Sequence, residues 1–311
     1  MTEEERTIRV GDHVRVLQPA MILATLDRHG TLEGLPFMPE MIPYCGRRFR
    51  VSYRVEKTCV ACTLGDGRAE TQLRGFADGD VLFLERLRCS GSAHDGCGRA
   101  CMLFWKASWL EGASADVEDC PVEAAEADEL RCHLKTISSN GAYFCQSTGL
   151  AKATGQLSIL DRVVRLCREA WVDHLSCRAV VGSILLPIWR RLTLNRRLTG
   201  SRRTTPQEAL SLAAGDEVEV KPFAEILKTL DARGANRGLQ FVGDMRRMCG
   251  TRLRVRSRLD RMILEDSGRI VETKNTVILD GATCSYSRRF AGCPRLEFHY
   301  WREIWLKRVE G

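Results

Sequence analysis

The stretch CSGSAHDGCGRACMLFWKASWL, residues 89–110, holds Cys89, Cys97 and Cys101 and follows them at once with Phe104, Trp105 and Trp109. Upstream, Cys59 and Cys62 form a Cys-x-x-Cys pair. Thiolates are the soft ligands that hold structural zinc and iron–sulfur clusters, and four of them from neighbouring strand ends suffice for either. The preferred ligand set is Cys59, Cys89, Cys97 and Cys101, with Cys62, Cys45 and His94 as substitutes. Gly91, Gly96, Gly98 and Ala100 let the backbone turn tightly around an ion, and the polar loop SGSAHDG has little apolar surface to fold it otherwise. Two other readings compete. Free cysteine also serves as a small apolar filler, which suits Cys167 and Cys177 better than this loop. A thiol-redox use of Cys59-Val60-Ala61-Cys62 needs the start of a helix, whereas the motif follows the strand-like FRVSYRV and leads into LGDG.

The chain around these thiols has 311 residues, 44% of them apolar, enough for two or three domains with cores of their own. The N-terminal MTEEERTIRV lacks the basic and apolar regions of a secretory signal, so the expected location is cytoplasmic, where 14 cysteines remain thiols. The longest apolar run, AVVGSILLPIW at 179–189, is too short to span a bilayer, and no membrane partner is expected. A net charge of +7 permits nucleic acid as a partner without favouring it. The sequence carries no GxxxxGK[ST], GxSxG, HExxH or dinucleotide glycine fingerprint, and its six histidines are scattered.

What must position the thiols is a duplicated unit. Residues 10–51 align without a gap to residues 214–255, and 20 of the 42 pairs are identical. The match resumes after a loop, pairing FLERLRCS (83–90) with ILDGATCS (278–285) and FWKASWL (104–110) with YWREIWL (300–306). In both copies GDxVxV alternates with strand period, and Ile22, Leu23 and Leu26 recur as Ile226, Leu227 and Leu230 at helical spacing, predicting a short helix closed by Gly30 or Gly234. A turn-rich connection, a basic strand, a hairpin and a further strand follow. The opening motifs Gly11-Asp12-His13-Val14-Arg15-Val16 and Gly215-Asp216-Glu217-Val218-Glu219-Val220 resemble the first strand of SH3-like barrels of the KOW type. The resemblance covers the two modules, implies a barrel-like fold and implies no activity; the helix after the first strand departs from the simplest such barrels.

The expected architecture is therefore mainly β with an α insert: an SH3-like module at 8–111 carrying the cysteine cluster, a helical and arginine-rich insert at 112–211, and a second SH3-like module at 212–311. Within the insert, LSILDRVVRLCREAWVDHL (157–175) reads as an amphipathic helix with Leu160, Val163, Val164, Cys167 and Trp171 on one face. An arginine-rich run at 190–203 follows it and reads mainly as a solvated linker.

The duplication separates scaffold from site. Cys45, Cys89 and Cys97 recur as Cys249, Cys284 and Cys293, whereas Cys59 aligns with Ile263 and Cys101 with Glu297, so the second copy is expected to have lost the site. Trp105/Trp301 and Trp109/Trp305 recur and read as core, ahead of a base-stacking platform. Asp27 and Asp231 recur as well and are expected to pair with Arg48 or Arg50 and with Arg252 or Arg254. The function that follows is a binding or scaffold protein with a protein partner and a mainly structural zinc ion or iron–sulfur cluster. The alternatives are an iron–sulfur protein with a redox or biosynthetic role, and a nucleic-acid-binding protein using Arg47, Arg48, Arg50 and Arg54 together with the arginine-rich run at 190–203.

Overall fold

Val14 and Val16 are fully buried while the alternating His13 and Arg15 are not, which is the pattern of a strand with one face on a core. Val218 and Val220 repeat the pattern. In the computed structural model these valines lie on strands His13–Val16 and Glu217–Val220, each the fourth strand of a five-stranded antiparallel sheet. The first sheet runs in the order Met102–Lys106, Val81–Arg88, Arg48–Arg54, His13–Val16, Leu110–Gly112. The second runs Phe298–Arg302, Thr276–Thr283, Arg252–Arg258, Glu217–Val220, Leu306–Arg308. The registers agree as well: His13 lies opposite Arg50 as Glu217 lies opposite Arg254. Both basic strands carry a register shift at the same place, after Val51 and after Val255, and such bulges bend a strand and curl its sheet. The molecule is mainly β, with two curled five-stranded sheets. The structure describes residues 8–63, 69–77, 80–114, 118–172, 198–284 and 294–309. Cys177, Cys293, the apolar run 179–189, residues 190–197 of the arginine-rich run and the side chains of Cys62 and Trp171 lie outside that description.

Each sheet closes over a pair of tryptophans. Trp105, Trp109, Trp301 and Trp305 are fully buried, and Phe37 meets Trp109 edge-on at 5.2 Å as Phe241 meets Trp305 at 5.3 Å. The predicted short helices are present at Pro19–Thr25 and Phe223–Leu227. They stop before the glycines expected to close them. Leu26 is already extended, and Gly30 (φ +73°) and Gly234 (φ +77°) take the left-handed conformation in the turn beyond.

That turn corrects the expected pairing of Asp27 and Asp231 with the basic strands. Asp27 Oδ1 accepts from the backbone N–H of His29 and of Thr31, and Oδ2 accepts from Thr31 Oγ1 at 2.8 Å. Asp231 Oδ1 accepts from the N–H of Arg233 and Ala235. A short carboxylate can satisfy its own turn, so these residues recur because both copies use the same turn. The guanidinium groups of Arg48, Arg50 and Arg254 bond to Ser114 O, Gly11 O and Glu217 instead.

Part of the segment 112–211 joins the first core. Leu130 and Leu134, from helix Ala124–His133 and its end, and Leu150 and Ala153, from helix Gln146–Ala153, pack in the same cluster as Trp105. Gln146 anchors the latter helix to the sheet edge: its Oε1 accepts from Phe104 N and its Nε2 donates to Phe104 O, as a neighbouring strand would. The amphipathic helix is present at Ile159–Val172, capped by reciprocal bonds between Ser158 and Asp161. Its expected apolar face, however, is turned outward. Leu160, Val163 and Val164 are exposed, and Arg165 docks the helix by donating to Glu56 O and Phe76 O. Buried carbonyls at the end of the sheet and the carboxylate of Glu56 outcompete the apolar stripe as a docking surface, because buried acceptors left unpaired are costly.

Candidate metal centre

Strands Val81–Arg88 and Met102–Lys106 are antiparallel partners, and the cysteine loop is their connection. Cys89 and Cys101 lie opposite each other at its base, where Cys89 N–H donates to Cys101 O at 2.8 Å. The loop between them is wound on itself, with His94 N–H and Gly96 N–H both donating to Gly91 O. Gly91 takes φ +70°, and a Cβ there would stand 2.1 Å from Cys97 O, so the turn admits only glycine.

This winding brings Cys89, Cys97 and Cys101 to the wall of one cavity of about 30 Å³, room for about one or two water-sized occupants. A fourth thiol, Cys145, completes the wall from the start of helix Gln146–Ala153. Met38, Phe104 and Ile263 supply apolar lining. Burial pushes three of these four thiols up: Cys101 to about 11, and Cys89 and Cys145 in the same direction. They are protonated at neutral pH, which disfavours a nucleophilic or thiol-exchange role, since that chemistry needs the thiolate. Among the described residues, no three histidine, cysteine, aspartate or glutamate side chains converge on a single point at coordinating geometry. The thiols line the void without meeting at one point.

The fourth residue of the predicted set, Cys59, is absent from that wall. It lies in strand Lys57–Thr63, its carbonyl accepting from Arg295 Nη1 at 2.6 Å. Because the Cys59–Cys62 motif is inside a strand, it lacks the helix start that a redox pair requires. Of the substitutes, Cys45 is buried in the main core, its thiol pushed up to about 12 by burial. His94 lines the cavity but both ring nitrogens are occupied, Nδ1 by Glu40 Oε1 at 2.7 Å and Nε2 by Phe144 O at 3.1 Å. Both partners accept, so the ring donates twice as an imidazolium. Burial opposes that charge, and Glu40 outweighs it and holds His94 above the usual histidine range.

A buried ionic network forms the back of the site. Arg99 and Arg295, at equivalent places in the repeat (CGR and CPR), both line the cavity. Glu265, on the turn after strand Arg261–Ile263, is the hub: it accepts from Arg295 at 2.9 Å, from Arg99 at 3.4 Å, from Ser147 Oγ at 3.1 Å and from the N–H of Ala61 at 2.9 Å. Burial opposes the ionisation of Glu265, but Arg295 and Arg99 prevail and hold it below the usual carboxylate range. Glu297, which stands where the first copy has Cys101, pairs with Arg99 at 2.8 Å and Arg295 at 2.6 Å. In the second copy that position thus serves an ion pair, while Cys284 N–H donates to Glu297 O just as Cys89 does to Cys101.

Sequence reasoning did not single out Cys145, Glu265 or Arg295. Cys145 follows NGAYF with no partner at ligand spacing, and Glu265 sits in an ordinary ED turn, so neither carries a local signal. Arg295 was legible only as the repeat-mate of Arg99. No known family model matches the chain, and no curated protein or solved structure is similar to it.

Proposed function

We propose that this is a metal-binding scaffold protein in which Cys89, Cys97 and Cys101 contribute to a site for a single soft ion, zinc in preference to an iron–sulfur cluster, with a structural role. The observation that carries this reading is the cavity itself. Thiols used as core fillers close-pack and leave no void, whereas these thiols surround one whose size suits an ion. Coordination would draw off their protons as thiolates form, and the neighbouring guanidinium groups of Arg99 and Arg295 would offset the negative charge. We read the sheets as two SH3-like modules, 8–111 and 212–311, around the segment 112–211. The matching strand order, register and bulge support common descent of the two.

A cytoplasmic location accords with the cysteines, none of which forms a disulfide among the described residues. No helix among the described residues is long and apolar enough to cross a membrane. A protein partner is favoured over nucleic acid, because part of the basic segment is spent on carboxylates of the chain itself. Arg54 pairs with Glu56 and Asp80, and Arg47 with Asp119. Elemental analysis and a visible spectrum of protein purified anaerobically without chelator test the site. About one zinc per chain in a colourless protein is expected. Iron with sulfide and visible absorbance would replace zinc by a cluster, and a metal-free protein that takes up no Zn²⁺ would end the reading.

A further inference from the structure

Resting on that reading, we infer that the fourth ligand is Cys145, not Cys59, so that the ion ties the segment 112–211 to the first sheet. Three observations converge on Cys145. It lines the same cavity as Cys89, Cys97 and Cys101, where Cys59 does not. Its backbone is held in place: Cys145 N–H donates to Thr148 Oγ1 at 3.0 Å and Cys145 O accepts from Gly149 N–H at 2.9 Å, fixing the start of helix Gln146–Ala153. The next two residues are locked on either side of the site, Gln146 to Phe104 on the sheet edge and Ser147 to Glu265 and Arg295. A ligand needs this kind of rigid support to hold its geometry.

Cys59 has the opposite setting. Its carbonyl is bound by Arg295, whose guanidinium is itself committed to Glu265, and Cys59 is not part of the cavity wall. The wall of the cavity is completed by Ile263, whose N–H donates to Cys97 Sγ at 3.4 Å. An ion held by Cys145 therefore sits where three parts of the chain meet: the cysteine loop, the helix Gln146–Ala153 and the strand Arg261–Ile263.

Co²⁺ titration of the full chain, stripped of metal under reducing conditions, separates the two candidates, because each bound thiolate adds sulfur-to-cobalt charge-transfer intensity. Cys59→Ser is expected to match the parent in spectrum and affinity, and Cys145→Ser to lose about a quarter of the charge-transfer intensity and at least about tenfold in affinity. Alkylation of the parent with and without Zn²⁺, mapped residue by residue by mass spectrometry, reads the same assignment without a mutation. Zn²⁺ should shield Cys145 with Cys89, Cys97 and Cys101 and leave Cys59 unchanged. Loss of intensity in Cys59→Ser with Cys145→Ser intact, or Zn²⁺ shielding Cys59 and not Cys145, overturns the assignment while leaving a metal site. A parent that binds neither Co²⁺ nor Zn²⁺ overturns the underlying reading instead.

Discussion

Trp109 Nε1 donates to Thr25 Oγ1 at 3.0 Å, and the Thr25 hydroxyl donates in turn to Ile22 O; Trp305, Thr229 and Ile226 repeat both bonds at the same lengths. The other tryptophan of each pair is different. Trp105 and Trp301 bury their indole N–H with no hydrogen-bond partner among the described residues. Replacing each by phenylalanine removes similar ring area, but in Trp109→Phe the hydroxyl of Thr25 also loses its donor, whereas Trp105→Phe removes an unmet one. Chemical denaturation should show Trp109→Phe less stable than Trp105→Phe by about 1 kcal/mol, with the same order for Trp305→Phe and Trp301→Phe. Equal losses would show that the orphan N–H is satisfied in solution. Asp27 and Asp231 set an acid limit at the same scale. Burial opposes the ionisation of Asp27, but its bonds to Thr31 and His29 together outweigh it and hold it below the usual range; the N–H of Ala235 does the same for Asp231. A carboxylate depressed by folding stabilises above its unfolded value and loses that contribution as pH falls through the folded one. Asp27→Ala should therefore cost about 1 kcal/mol near neutral pH, and its deficit against the parent should shrink below about pH 4. A deficit that stays constant down to pH 2 would exclude this role.

At the scale of elements, the helix Ile159–Val172 inverts the usual rule that the apolar face docks. Its arginines do the docking: Arg165 and Arg168 both reach the buried carboxylate of Glu56, which also pairs with Arg54. The expected outcome is that Val164→Ser changes stability by less than about 0.5 kcal/mol, as exposed positions do. Arg165→Ala should instead raise hydrogen exchange across Ile159–Val172, because it strips donors from Glu56 O and Phe76 O together. If Val164→Ser loosens the helix as much as Arg165→Ala does, the apolar face is covered in solution. The face was legible from spacing alone; its direction was not, because periodicity reports that a stripe exists and not which stripe meets a partner.

Across the whole molecule, Glu265 connects more of the chain than any apolar contact described above. It touches Ala61 of strand Lys57–Thr63, Ser147 of the helix behind the cavity, and the equivalent arginines of both copies. Removing one member of a buried ionic cluster leaves the others uncompensated, a loss of about 3–5 kcal/mol. Glu265→Ala should therefore lower the unfolding midpoint markedly, with Glu272→Ala on the same hairpin, exposed and ion-paired with Arg261, as a near-neutral control. A midpoint for Glu265→Ala equal to that of Glu272→Ala would remove Glu265 from this role.

By itself the sequence determined the duplication, the mainly β class, the tryptophan core and the crowding of Cys89, Cys97 and Cys101, because repeats, period-two alternation and short cysteine spacings are local quantities. It also exposed the asymmetry of Cys101 and Glu297, although not that the carboxylate is spent on two arginines. Tertiary structure alone decided which distant thiol lines the cavity, since the sequence pointed to Cys59 by its spacing and carried no signal at Cys145, which the docking of helix Gln146–Ala153 against Phe104 brings to the wall. It alone turned Asp27 and Asp231 inward to their own turns and gathered Glu265, Arg99 and Arg295 into one network. Buried charge must find its partner wherever the folded chain brings one, and that pairing leaves no periodic trace in the sequence.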